Sequence, residues 1–88
     1  MVDVSKYTRD ACIYWIRELR ASVRFERAAR KELWGKVPHP QSMATELATR
    51  NELIAVRQRL LEIEIQERDA LSLELQRAQL DAENKRAK

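Results

Sequence analysis

Residues 42–88 read SMATELATRNELIAVRQRLLEIEIQERDALSLELQRAQLDAENKRAK, and this stretch holds neither Gly nor Pro. Its apolar residues step by three and four: Leu53, Val56, Leu60 and Ile63, then Leu71, Leu75, Ala78 and Ala82. That spacing lays them along one side of an α-helix. A helix of about 40 residues is roughly 60 Å long, against about 11–12 residues for a mean globular helix. Such a rod cannot bury its own stripe, so it needs a covering surface. Between the two series the step is four and four through Glu67, a stutter that relaxes left-handed supercoiling. Leu47, Ile54 and Leu61 form an adjoining second stripe in the first part only.

Working back toward the N-terminus, Gly35-Lys36-Val37-Pro38-His39-Pro40 is the one clear breaker. Gly35 is read as a left-handed stop, and the two prolines forbid immediate resumption of a helix. Ahead of it, Cys12, Trp15, Ile16, Leu19 and Val23, continued by Ala29, Leu33 and Trp34, fill an arc of about 140° on a first helix. Glu26 interrupts that arc. Ser5 and Thr8 both qualify as the N-cap.

These elements give an all-α fold: two long helices joined by a short Gly/Pro loop. The rod is non-globular, extended or an open hairpin, and stabilised by partners. The expected organisation is an N-terminal lead over 1–7, extended or disordered to Val4, a basic amphipathic helix over 8–34, a loop over 35–41, and a long amphipathic helix over 42–88. Pro40 or Ser42 opens the last helix, which is expected to fray from Asn84. Ser42 and Thr45 are read as caps of the second helix, and Glu64 with Arg68 as a favourable ion pair. Whether the helices fold back or splay apart is left open by a loop this short.

Composition narrows the function. The chain of 88 residues carries a net charge of +3. Residues 1–40 hold nine Lys/Arg against five Asp/Glu, whereas residues 41–88 hold eight against nine, so the first half is the cationic one. Its expected partner is acidic. A single cysteine, Cys12, excludes an internal disulfide and reads as a buried small hydrophobe in a reducing compartment. One His and one Cys cannot by themselves hold zinc. No apolar run reaches the length of a membrane span, and the first residues lack an apolar signal core.

The sharpest local signal is Arg17, Arg20, Arg24, Arg27 and Lys31, which step by three, four, three and four within about 80° of arc. Like charges at these spacings repel by about 0.2–0.5 kcal/mol per pair, so the row does not serve the helix itself. It borders the apolar face, as the rim of an interface does. The alternative is a solvated face whose arginine stems cover apolar surface. The candidate partner-binding residues are therefore Trp15, Ile16, Leu19, Arg20, Val23, Arg24, Arg27 and Trp34 on the first helix. On the second they are Leu53, Val56, Leu60 and Ile63. The two tryptophans are read as aromatic anchors.

Catalysis finds no support in the residues. His39 sits alone between two prolines and reads as a loop residue or cap. Glu62, Glu64, Glu67 and Asp69 are scattered around the rod rather than paired. There is no Gly-rich phosphate loop. The expectation is a protein that is not an enzyme and has no cofactor and no metal.

One resemblance gives the binding reading a direction. Glu46-Leu47, then Leu53-Ile54-Ala55-Val56-Arg57-Gln58, then Leu61 and Glu74-Leu75 are similar to a pattern in small ciliary microtubule inner proteins, and specifically to the cilia- and flagella-associated protein 141 family. Those chains pair a Trp-containing first half with a long helix built on Leu-Leu-x-Val-Arg. The similarity spans residues 46–75. The family's Tyr before the final Glu-Leu is replaced here by Leu71, Ser72 and Leu73, and no Gly follows. The resemblance implies a non-enzymatic rod lining the lumen of the axonemal doublet, bound to tubulin and to neighbouring inner proteins. Tubulin is strongly acidic, which suits the basic row. The alternatives are a helical-hairpin or coiled-coil adaptor, including a homodimer, and, more remotely, a small basic accessory to nucleic acid. Against the last stands the absence of any zinc-finger, homeodomain or basic-zipper pattern.

Overall fold

The computed structural model describes residues 3–87 and consists of two helices and no strand among them: α1, Arg9–Trp34, and α2, Pro40–Ala87. Thr8 is the N-cap of α1; its Oγ1 accepts from the Ala11 amide at 3.2 Å. The helix ends at Trp34 because Gly35 takes φ +58° and ψ −120°. With the Val37 amide donating to the Trp34 carbonyl at 3.0 Å, this is a type II′ β-turn with Gly at its first central position. The stop is therefore a turn rather than the left-handed cap expected from the sequence. A Cβ at Gly35 would meet nothing within 4 Å, so the only obstacle to a side chain is the backbone angle. Gly35→Ala is expected to lower hairpin stability by about 1–2 kcal/mol, read from the thermal midpoint; an unchanged midpoint would show the turn to be dispensable.

α2 starts at Pro40, the earlier of the two openings the sequence allows and two residues inside the expected loop of 35–41. Pro40 occupies the first helical position, where its missing N–H costs nothing. His39 is the cap: its Nδ1 accepts from the Ser42 amide at 3.1 Å and its carbonyl from the Met43 amide at 3.0 Å. Its ring stacks on Trp34, centroids 3.8 Å apart, which ties the end of α1 to the start of α2. The loop is thus five residues, 35–39, and the helices run antiparallel. At its C-terminal end α2 is helical as far as Ala87, where fraying was expected from Asn84.

The hairpin seam is narrow. Cys12, Leu19, Leu53 and Val56 form the core cluster, and Val23 is buried nearer the loop. Ile16, Leu60 and Ile63 pack against the cluster, as do Val4 and Tyr7 from the lead. The lead is therefore structured at least from Val4: the Tyr7 amide donates to the Val4 carbonyl at 3.0 Å, and Arg59 on α2 donates to the Tyr7 carbonyl at 3.1 Å. Asp3 accepts from the Ser5 amide at 3.0 Å, and Met1 and Val2, the first two residues of the expected lead, lie outside the described residues, as does Lys88.

The two helices differ in length, 26 residues against 48, and that difference shapes the molecule. α1 ends on α2 where Arg9 pairs with Glu64 and Glu67. Beyond Glu67, α2 runs on alone for about 30 Å. The molecule measures 77 × 21 × 17 Å with a radius of gyration of 21.8 Å, where a compact chain of this length has about 12 Å. Its accessible surface is 7583 Å², against about 5,400 Å² for a globule of the same mass. The excess is the overhang and the outer faces of a two-helix layer. No helix of the described residues is long and apolar enough to cross a membrane.

Candidate partner-docking faces

The hairpin divides the sequence's candidate residues into two groups. Leu19, Val23, Leu53 and Val56 are buried between α1 and α2, and Ile16, Leu60 and Ile63 are half-buried beside them. The Leu53–Ile63 face, expected to be covered by a partner, is covered by the chain's own first helix. The second group stays outside. Arg20, Arg24 and Arg27 are exposed; Trp15 and Trp34 are 41% and 38% exposed. Trp34 is engaged with His39, whereas Trp15 meets Tyr14 edge-on, centroids 5.3 Å apart. Trp15 also walls an open groove of about 520 Å³ whose other sides include Val4, Tyr7, Ala48 and Ala55. Small residues on α2 leave the groove where larger ones would fill it.

Toward the loop the seam turns polar. Glu26, the residue that interrupts the apolar arc of α1, accepts from the Ser42 hydroxyl at 2.6 Å, and Ser42 is buried. Ser42 is therefore a cross-helix bridge rather than a cap. Thr45 likewise turns its hydroxyl onto the Gln41 carbonyl. Glu46 gathers three arginines: Arg50 Nε donates to Oε2 at 2.8 Å, Arg30 Nη2 donates to Oε1 at 3.0 Å, and Arg27 Nε lies at 3.8 Å. The Arg50 hydrogen bond, with Arg30 behind it, holds the Glu46 carboxyl below its ordinary value of 4.5. The Glu46–Arg50 pair was legible as an i,i+4 spacing. Arg30 and the Ser42–Glu26 bridge carry no local signal, because only the fold-back brings them across.

A carboxyl depressed in the folded state stabilises that state above its unfolded pKa and ceases to do so as pH falls through the folded value. The hairpin is accordingly expected to lose thermal stability below about pH 4.5 by more than a Glu46→Gln variant does. Melting curves between about pH 7 and about pH 3 check this; parallel losses in both proteins would remove Glu46 from the account.

The four carboxylates between residues 62 and 69 are each paired with an arginine. Glu64 and Glu67 meet Arg9, Glu62 meets Arg59, and Asp69 meets Arg68. Arg68 is thus engaged by its neighbour and not by Glu64, as the spacing had suggested. Burial pushes the Cys12 thiol above its ordinary value, against a smaller opposing pull from Arg59, so it stays protonated as a small hydrophobe. Among the described residues no cluster of three His, Cys, Asp or Glu side chains could hold a metal ion.

Among the described residues three extended rows stand out on the uncovered surface. On α1, Arg17, Arg20, Arg24 and Lys31 are exposed and enter none of the ion pairs among the described residues; Arg27 reaches only Glu46. On the outer side of α2, Met43, Leu47, Ile54, Leu61 and Ile65 lie within roughly 40° of arc, and all are exposed. The second stripe read from the sequence is thus extended by one residue at each end. On the overhang, Leu71, Leu73, Leu75 and Leu80 are each more than half exposed. Compared with family profiles, curated proteins and solved structures, the chain matches none.

Proposed function

We propose that this chain is a non-enzymatic structural protein that docks on an acidic polymer, namely the luminal side of axonemal doublet microtubules together with neighbouring inner proteins. The observation that carries the reading is the orientation of α1. Its apolar side is used within the hairpin, and its cationic row is turned outward, with Arg17, Arg20, Arg24 and Lys31 in none of the ion pairs among the described residues and only Arg27 near a carboxylate, Glu46 at 3.8 Å. A row of like charges costs the isolated helix stability and is relieved by an acidic surface. The family resemblance over residues 46–75 supports tubulin as that surface. The exposed apolar stripe from Met43 to Ile65 supplies a second contact suited to a lattice that surrounds the rod on more than one side.

Co-assembly tests the reading. Tubulin is polymerised with the purified chain present, and in parallel the chain is added to finished microtubules. The luminal reading expects the chain to pellet with tubulin in the first arm well beyond the second. No pelleting in either arm at low ionic strength would overturn it.

A further inference from the structure

The apolar face of α2 does not end where α1 ends. The face of α2 that carries Leu53 and Leu60 continues into Leu71, Leu75, Ala78 and Ala82, which lie within about 60° of arc and are exposed. One flank of this continued seam is acidic at seven-residue intervals: Glu67, Glu74 and Asp81. The other carries Ser72 and Gln79 between Arg68 and Arg86. At the junction the hairpin already shows how the acidic flank is used, since Arg9 at the start of α1 seats on Glu64 and Glu67.

We infer that the overhang seats an amphipathic helix of a different protein, end to end with α1, with basic residues along the side that meets Glu74 and Asp81. A second copy of this chain fits the seam poorly in either direction. In a parallel pair the two α2 helices would have to meet on the face that α1 occupies up to Glu67. In an antiparallel pair the layers would match, Leu71 with Ala82 and Leu75 with Ala78, but Glu74 of one copy would face Asp81 of the other. Like charges so placed disfavour the pairing. The inference does not depend on the identity of the polymer, because it rests on α2 beyond α1 rather than on the row of arginines.

The test uses the full chain and two fluorescent peptides of about 21 residues with a Leu/Ala seam, one flanked by Lys and one by Glu. Fluorescence anisotropy is expected to show saturable binding of the Lys peptide and at least about tenfold weaker binding of the Glu peptide. Combining Glu74→Lys with Asp81→Lys should invert that preference. Leu75→Glu should abolish binding while leaving the thermal midpoint of the hairpin in place, since Leu75 lies beyond α1. The inference is overturned if neither peptide binds at about 1 mM, or if both bind equally. Sedimentation showing a dimer of the chain that Leu75→Glu dissociates would also overturn it and assign the seam to a second copy.

Discussion

Val56→Asp is expected to unfold the hairpin. Val56 is 3% exposed, at the centre of the cluster with Cys12, Leu19 and Leu53. Losing its burial removes about 1.5–2 kcal/mol, and an unpaired carboxylate in its place costs several kcal/mol more. A single core rarely supplies more than about 3–5 kcal/mol of net stability below about 70–80 residues, and the seam here joins only the part of the chain up to Glu67. The substitution therefore exceeds what the fold has in reserve. Far-UV circular dichroism should show most of the helix lost at room temperature, while Leu73→Asp, on the exposed overhang, should leave the melt nearly unchanged. A Val56→Asp protein with the parent's ellipticity and melting curve would mean that the seam is not what holds the helices together. Leu60→Asp belongs with Val56→Asp: Leu60 packs against the chain's own core, so its first effect falls on the hairpin, and any loss of association would follow from that.

The second large effect falls on binding rather than folding. Replacing Arg20, Arg24 and Arg27 together by Gln keeps helix propensity close to that of the parent and removes three charges. Exposed ion pairs contribute about 0–1 kcal/mol each, so single replacements should change little, and under the proposed docking on tubulin the triple variant should bind the lattice about tenfold or more weakly at low salt. The gap should narrow as salt is raised, because the screening length falls from about 30 Å at 0.01 M to about 10 Å at 0.1 M. Only Arg27 touches another charged group, Glu46 at 3.8 Å, so the melting temperature should stay near that of the parent and serve as the control for folding. Equal binding of parent and triple variant at low ionic strength would make the row a solvated face.

Much of the architecture was legible because helical periodicity is local. The absence of Gly and Pro after Pro40 and the three-four stepping are enough to specify one continuous helix, and α2 is uninterrupted from Pro40 to Ala87. Gly35 and the two prolines are enough to place the break. The cationic row follows from spacing alone, and so does the exposed stripe through Leu47, Ile54 and Leu61, because a regular helix makes angular position a function of residue number.

Which apolar stripe meets which surface is not a function of residue number. Two stripes on α2 have similar composition, and only the fold-back shows that α1 covers Leu53–Ile63 and leaves Leu47, Ile54 and Leu61 outside. The same fold-back explains Glu26, which breaks the apolar pattern because Ser42 stands opposite it, and turns Ser42 from an expected cap into a cross-helix bridge, while the cap itself is His39, as one of its two sequence readings had it. It also decides where α1 stops along α2, and hence that about 30 Å of seam is left without a cover. Local sequence determines the helices through backbone propensity and side-chain period. Tertiary structure decides which faces remain for partners, since burial is a property of pairs of surfaces and not of either helix alone.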